Sequence, residues 1–133
     1  MKVVIVGCGK VGKTIAEELV KENHDIILID ENAELVEDVS NSLDIIGVIG
    51  NGASLNILKE AGIETADVLI AVTSADEINM LCCLFAKKAN KDLKTIARVR
   101  NPIYSSELSY IKDELGLTMT INPEMITARE ISR

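Results

Sequence analysis

Apolar residues recur along this chain in two alternating patterns. Short apolar runs bounded by Gly, Asp or Asn are typical of buried strands, and they occur at residues 3–6, 25–29, 45–49, 68–72, 95–99 and 117–121. The segment after each run carries apolar residues at every third or fourth position, which predicts a helix. The alternation predicts an α/β fold: a single domain with a doubly wound, parallel, six-stranded sheet.

Short polar side chains mark the predicted helix starts. Asn32 and Ser54 each precede a helical segment and are predicted N-caps, because their side-chain oxygens accept hydrogen bonds from N–H groups of the first turn. Ser74 and Glu77 have the spacing of a capping box, which predicts that they cap the helix after the fourth strand. An Asn-Pro pair at 122–123 predicts the start of a sixth helix.

The carboxyl ends of the strands are where a ligand is expected. In open parallel sheets ligands bind outside these ends, at the point where the strand order reverses. Glycine and polar residues at the predicted strand ends should therefore form one rim. The candidate binding residues on this rim are Gly7, Cys8, Gly9, Lys10, Val11, Gly12, Asp30, Asn51, Gly52, Thr73, Ser74 and Arg98.

The turn after the first strand, at residues 7–14, fits two phosphate-binding motifs. As G-x-G-x-x-G it is the turn that seats the pyrophosphate of a dinucleotide in a Rossmann-like domain. As G-x-x-x-x-G-K-[ST] it is a P-loop, with Lys13 on phosphate and Thr14 on Mg²⁺. The two motifs predict different chemistry.

Helical phase favours the dinucleotide motif. Val11 is in phase with Ile15 and Leu19, so the helix should begin near Lys10. Lys13 would then lie in the body of the helix and not in an open phosphate loop. A P-loop nucleoside triphosphatase stays the less favoured alternative.

Asp30 follows the second strand and selects between cofactors. A carboxylate at this place accepts hydrogen bonds from the adenosine ribose hydroxyls. Asp30 and Glu31 would repel a 2′-phosphate, and no arginine follows to receive one. The sequence therefore favours NAD(H) over NADP(H).

The remaining rim residues have weaker signals. The hydroxyl of Thr73 is expected to face the ligand, whereas Asp76 and Asn79 are explained by the helix dipole and by solvation. Arg98 lies inside a Val/Ile/Ala strand, so it needs an anionic partner, which a ligand phosphate, Asp76 or another subunit would supply. The turn containing Asn51 suits an adenine pocket lined by backbone groups.

Composition narrows the function classes. The 133 residues carry a formal net charge of −7, which argues against nucleic-acid binding. The three cysteines lack metal-site or disulfide spacing, and Cys82 and Cys83 are expected to be buried. No apolar stretch is long enough to span a membrane and no signal-peptide pattern occurs, so a cytoplasmic domain is expected. His24 is the one histidine and lies away from the rim, which argues against catalysis.

Six stretches of the sequence together match one known pattern. They are VIVGCGKVG at 4–12, ID at 29–30, VIGNG at 48–52, ADVLIAVTSADEIN at 66–79, ARVRNP at 97–102 and INPE at 121–124. With these stretches the chain resembles the RCK/KTN domain, the nucleotide-binding regulatory unit of Trk- and Ktr-type potassium uptake systems and of some potassium channels. The resemblance covers residues 1–133 and is most specific over residues 67–79. One departure is Asn51, where the family often has Asp.

The resemblance implies a regulatory function without catalysis. NAD(H), or ATP or ADP in some members, would change the shape of the domain and gate a membrane-embedded potassium transporter or channel subunit. It implies the N-terminal part of a longer chain, assembly as a homodimer or higher ring on the inner face of the membrane, and contact of Arg98 with ligand phosphate. An NAD-dependent dehydrogenase cofactor domain is the alternative. The residues expected at a dimer contact are Ile103, Tyr104, Leu108, Tyr110 and Ile111.

Overall fold

Strands and helices alternate along the computed structural model, which describes residues 1–121. The helix expected after residue 122 lies outside the described residues. In chain order the elements are β1 Lys2–Val6, α1 Lys10–Lys21, β2 Asp25–Asp30, α2 Ala33–Leu43, β3 Ile46–Ile49, α3 Leu55–Glu60, a 3₁₀ turn Ile63–Thr65, β4 Val68–Ala71, α4 Asp76–Ala89, β5 Lys94–Arg98, α5 Pro102–Leu115 and β6 Met119–Ile121.

The six strands form one parallel sheet in the order β3-β2-β1-β4-β5-β6. The chain begins in the centre of the sheet, builds one half outward to β3, and returns so that β4 pairs with the other side of β1. This order confirms the predicted α/β fold with a doubly wound six-stranded parallel sheet. The strand order reverses between β1 and β4, which places a crevice at their carboxyl ends.

The core has two apolar layers because successive strand residues face opposite sides of the sheet. Val3 and Ile5 of β1 belong to a layer that includes Ala16 of α1 and Val36 of α2. The alternate residues of β1 belong to a layer under α3, α4 and α5. With both faces covered, Ile5 is fully buried, and short Val/Ile runs without alternation are the expected sequence of such strands.

Two predicted helix caps are present in the structure. The Asn32 side chain accepts a hydrogen bond from the N–H of Leu35 at 3.1 Å, and Ser54 accepts one from the N–H of Ile57 at 3.4 Å. Each satisfies a first-turn donor that has no acceptor within its own helix. The caps fix where α2 and α3 leave the carboxyl side of the sheet.

The capping box predicted at Ser74 and Glu77 is wrong. Helix α4 begins at Asp76, and its N-cap is Ala75, which makes no side-chain cap. The turn before α4 is organised by Thr73 instead, whose hydroxyl oxygen accepts a hydrogen bond from the N–H of Ala75 at 3.3 Å. A threonine one position before the expected cap competes for the same backbone groups, and the motif alone does not reveal which hydroxyl is used.

Within residues 1–121, no helix is long and apolar enough to cross a membrane. Cys82 and Cys83 are fully buried in α4, as expected, and Cys8 is also buried. Burial raises the pKa of Cys82 and of Cys83 to about 12, so both thiols are neutral at physiological pH.

Candidate functional site

A cleft of about 1110 Å³ opens at the carboxyl ends of the strands. That size is above the roughly 300–1000 Å³ typical of sites for small ligands. Ten of the twelve candidate residues line the cleft; Cys8 and Gly12 do not. The cleft is lined, among others, by Gly7, Gly9, Lys10, Val11, Asp30, Glu31, Asn51, Gly52, Thr73, Ser74, Arg98 and Arg100.

The three motif glycines have three different surroundings. Gly7 has a φ of +116°, which other residues rarely adopt, and it makes the sharp turn out of β1. A Cβ placed on Gly12 would lie 1.8 Å from the carbonyl oxygen of Gly7, so this glycine permits close packing of α1 and not contact with a ligand. A Cβ on Gly9 would meet no atom within 4 Å. Gly9 therefore leaves its side of the cleft open for close approach to the backbone.

Helix α1 begins at Lys10, as its apolar phase predicts. Lys13 and Thr14 are exposed on the helix surface, and neither lines the cleft. The Thr14 hydroxyl donates a hydrogen bond to the carbonyl of Lys10 at 2.8 Å. The two residues that a P-loop uses for phosphate and Mg²⁺ therefore lie away from the cleft, whereas the start of α1 points its first N–H groups and the positive end of its dipole toward it.

Asp30 joins the end of β2 to the glycine turn. One of its carboxylate oxygens accepts a hydrogen bond from the N–H of Cys8 at 2.7 Å, and the other accepts one from the N–H of Asn32 at 2.9 Å. A carboxylate oxygen can accept more than one hydrogen bond, so both oxygens retain capacity for a ligand hydroxyl. Asp30 lines the cleft, together with Glu31.

The Cys8 side chain points away from the cleft. It is 2% exposed, and its thiol donates to the carbonyl of Leu35 at 3.4 Å. Burial, and secondarily the negative charge of Asp30, raise the pKa of the thiol to about 11. The N–H of Cys8 is already bound to Asp30, so a side-chain role for Cys8 in ligand contact is not supported by its position.

The turn at 50–52 presents backbone to the cleft. Asn51 is exposed, its side-chain oxygen accepts from the N–H of Ala53 at 2.8 Å, and its carbonyl accepts from the N–H of Ser54 at 2.9 Å. A Cβ on Gly52 would overlap the side chain of Val6. The turn is thus closed by its own hydrogen bonds, and its position suits recognition through backbone groups.

Thr73 lines the cleft, and its hydroxyl is also bound within the protein. The hydroxyl donates to the side-chain oxygen of Asn79 at 2.7 Å. Asn79 is fully buried, and its amide donates to the carbonyls of Thr73 and Arg98 at 3.1 and 2.9 Å. Solvation is therefore the wrong explanation for Asn79, which joins the ends of two neighbouring strands.

Asp76 was likewise misjudged from the sequence, because its side chain is buried and bound to backbone. Its carboxylate accepts hydrogen bonds from the N–H groups of Arg100 at 3.0 Å and of Asn101 at 2.8 Å. These donors belong to the segment between β5 and α5. Sequence spacing misses this contact because 24 residues separate Asp76 from Arg100.

Charge is distributed unevenly along the cleft. Asp30 and Glu31 lie at the β2 end, and Arg98 and Arg100 lie at the β5 end, with Lys10 at the start of α1. Arg98 is 9% exposed as the last residue of β5. The Arg100 guanidinium donates to the carbonyl of Ser74 at 2.8 Å. The cleft therefore offers hydroxyl acceptors at one end and anion donors at the other.

The residues described at 1–121 place no group of three or more metal-ligating side chains together. His24 does not line the cleft, and its Nδ1 lies 3.1 Å from the N-terminal amine. On α5, Ile103, Tyr110 and Ile111 are exposed as a dimer contact requires, whereas Leu108 is 5% exposed and packs in the core.

Four similarities with known proteins agree with this architecture. Residues 3–123 match the TrkA-N domain family. The Trk system potassium uptake protein TrkA of Halomonas elongata is 38% identical over 134 residues, covering 100% of this chain and 29% of that protein. The TrkA-N domain of the Escherichia coli inner membrane protein ybaL has a TM-score of 0.85 and 26% identity, covering 98% of this chain and 93% of that one. The GsuK channel bound to NAD has a TM-score of 0.75 at 18% identity, covering 90% of this chain and 21% of that one, which is a likeness of fold.

The doubly wound sheet and the glycine turn at its switch point define a Rossmann-like α/β domain. Within that class, the chain belongs to the TrkA-N domain family. It spans 29% of the length of the Halomonas TrkA relative.

Proposed function

We propose that this chain is an NAD(H)-binding regulatory domain of a Trk- or Ktr-type potassium transport system. The observation that carries the proposal is the cleft in which the glycine turn, the start of α1 and Asp30 lie side by side. This is the arrangement that receives the pyrophosphate and the adenosine ribose of a dinucleotide. The name of the TrkA relative and the NAD-bound state of GsuK support the same function.

The charge distribution of the cleft supports one orientation of the ligand. We assign the adenosine ribose to Asp30, the pyrophosphate to the turn at Gly7 and Gly9 with the start of α1, and the distal half of the dinucleotide to Thr73, Ser74 and Arg98. Asp30 and Glu31 disfavour the 2′-phosphate of NADP(H). ATP and ADP are the second ligand class, favoured by the two arginines at the β5 end.

Regulation is favoured over catalysis by the residues available near the distal half of the ligand. A hydride transfer needs a proton donor or acceptor beside the reacting carbon. The polar side chains that line the β4 and β5 end of the cleft, within the described residues, are the hydroxyls of Thr73 and Ser74 and the guanidinium groups of Arg98 and Arg100. The alternative is a dehydrogenase cofactor domain whose catalytic residues lie elsewhere in a longer protein.

The partners follow from the family. The proposed membrane partner is a potassium transporter or channel subunit, and the domain would lie on the cytoplasmic face as the N-terminal part of a longer chain. Assembly with further copies would use the exposed face of α5, with Ile103, Tyr110 and Ile111. The net charge of −7 disfavours nucleic acid as a partner.

Thermal unfolding with NAD⁺, NADH, NADP⁺, ATP and ADP tests the proposal. A ligand at 100 times its dissociation constant should raise the free energy of unfolding by about 2.7 kcal/mol. Stabilisation by NAD(H) exceeding that by NADP⁺ is expected. No stabilisation by any of these nucleotides at millimolar concentration would refute nucleotide binding. Sequencing the intact gene distinguishes a regulatory subunit from a dehydrogenase, since only the latter would encode a substrate domain.

A further inference from the structure

The backbone pairing between β4 and β5 stops before the cleft. The last paired residues are Ala71 and Ala97, and the chain continues on both strands toward the cleft. Thr73 and Arg98 each follow these last paired residues of the β4–β5 register, and Arg98 pairs on its other side with Ile121 of β6. Both residues line the cleft, so their spacing sets the width of its β4–β5 end.

Asn79 bridges this gap from behind the cleft. Its amide nitrogen donates to the carbonyl of Thr73 at 3.1 Å and to the carbonyl of Arg98 at 2.9 Å. Its oxygen accepts from the N–H and the hydroxyl of Thr73 at 2.8 and 2.7 Å. Two donors and two acceptor positions are the full capacity of an asparagine side chain, and each one is used here.

The chemistry of this bridge requires an amide. A carboxylate of the same shape would bring no N–H to the two carbonyls, and an apolar residue would leave them without these donors. Asn79 itself is fully buried and is not among the residues that line the cleft. It therefore acts on a ligand only through Thr73 and Arg98.

We propose that Asn79 is a positioning residue that holds Thr73 and Arg98 at the separation needed to bind the part of a nucleotide beyond its first phosphate. The inference rests on the proposed nucleotide-binding function. The proposal predicts that Asn79 affects the binding of long and short nucleotides differently. The parts of a ligand near Asp30 and the glycine turn bind independently of Asn79, whereas the parts that reach the β4–β5 end depend on it.

The test compares AMP with NAD⁺ in the 133-residue chain and in Asn79→Ala. AMP has one phosphate and ends near the glycine turn, whereas NAD⁺ extends to the β4–β5 end. Dissociation constants measured by calorimetry should rise about tenfold or more for NAD⁺, since buried hydrogen bonds are lost, and less than about threefold for AMP. Asn56→Ala, an exposed asparagine on α3, is the matched control and should change neither constant.

Three results overturn the proposal. If Asn79→Ala weakens AMP and NAD⁺ by the same factor, Asn79 has only a structural role; if it weakens neither, it has no role in binding. If the unaltered chain binds neither nucleotide, the proposed function itself fails, which is a separate and recognisable result.

A measurement on the unaltered protein covers the case in which Asn79→Ala does not fold. The side-chain amide of Asn79 can be followed as a pair of proton resonances in a nitrogen-correlated NMR spectrum, since the protein has a mass of only 14.4 kDa. Saturating NAD⁺ should shift this pair, and saturating AMP should leave it in place. Equal shifts with both ligands, or none with NAD⁺, contradict the proposal.

Discussion

The carboxylate of Asp30 accepts a hydrogen bond from the backbone N–H of Cys8 at 2.7 Å, so the end of β2 holds the glycine turn that leaves β1. The residue assigned to the ribose is thus also a structural support for the residues assigned to the pyrophosphate. Ribose and phosphate recognition are coupled through one side chain.

Replacing Asp30 by Ala is expected to weaken AMP and NAD⁺ together. It removes the ribose acceptor and the acceptor for the Cys8 N–H, and a loss of about tenfold or more follows for each ligand. The ratio of the NADP⁺ to the NAD⁺ dissociation constant should also decrease, because one of the carboxylates that repel the 2′-phosphate is removed. Calorimetric titration measures all three constants. Asp38→Ala, an exposed aspartate on α2, is the control, and an unchanged AMP constant in Asp30→Ala would contradict the assignment.

Two alanine substitutions in the glycine turn should have opposite consequences. Gly12→Ala places a methyl group against the carbonyl of Gly7 and should lower the free energy of unfolding by about 3 kcal/mol. Gly9 has a φ of −73°, which alanine adopts readily, and a Cβ there would meet no atom of the protein. Gly9→Ala should therefore leave the free energy of unfolding nearly unchanged, while its methyl group blocks the close approach of the ligand to the backbone. Urea unfolding and NAD⁺ titration of both variants check this. An unchanged NAD⁺ affinity in Gly9→Ala would contradict the assignment of the pyrophosphate to this turn.

Lys13→Ala separates the dinucleotide site from a P-loop. Lys13 is exposed in the body of α1, so its removal should change NAD⁺ and ATP affinity by less than about threefold, the small effect expected of a charge screened by solvent. A P-loop lysine would instead be essential for Mg²⁺-dependent ATP turnover. A colorimetric phosphate-release assay on both proteins gives the comparison, and turnover that depends on Lys13 would revive the P-loop alternative.

Asp76→Ala should loosen the segment that leads into α5. The N–H groups of Arg100 and Asn101 lose their acceptor, and the free energy of unfolding should fall by about 2 kcal/mol. Asp76→Asn keeps one carbonyl oxygen and should lose less. Hydrogen exchange should show faster exchange of these two amides in Asp76→Ala. Exchange equal to that of the unaltered chain would mean that the carboxylate does not hold this segment.

The cysteines predict a loss of stability at alkaline pH. The folded protein raises the pKa of Cys8 to about 11 and the pKa of Cys82 and Cys83 to about 12, above the ordinary thiol value of 9.0. The folded state therefore holds more protons than the unfolded state between pH 9 and 12. The contribution of the three thiols to the free energy of unfolding is fully present below pH 9 and is lost as the pH rises through this range.

Urea unfolding at pH 8, 9 and 10 measures this decline. Replacing Cys82 and Cys83 by Ala removes their share of the pH dependence while keeping the other groups that titrate in this range, so the curve should become shallower. A curve of the same slope in the double variant would mean that these thiols do not carry the effect.

The fold followed from sequence because its signals are local. Uninterrupted Val/Ile runs such as that of β1, the phase of Val11, and caps such as Asn32 depend on residues within a few positions of one another. The doubly wound parallel sheet followed from the alternation of strand and helix patterns along the chain.

The parts of the site that the sequence did not predict depend on contacts between distant segments. Asp76 and Asn79 look like ordinary first-turn residues of α4, and their partners at Arg98, Arg100 and Asn101 lie 19 to 25 residues further along the chain. Helical periodicity carries no information about which side of α4 faces β5. The one available signal was the amide of Asn79 in phase with Cys82 and Cys83 on α4, because a buried polar group needs hydrogen-bond partners.

The pairing of β1 with β4 also has a consequence for the order of events during synthesis. The first half of the sheet, β1 to β3, supplies the glycine turn and Asp30, but Thr73, Arg98 and Arg100 are made only later, 24 to 51 residues after β3 ends at Ile49. A nascent chain that has folded only its first half has one wall of the cleft. A nucleotide that spans both walls therefore stabilises the completed domain and not its early folding intermediates.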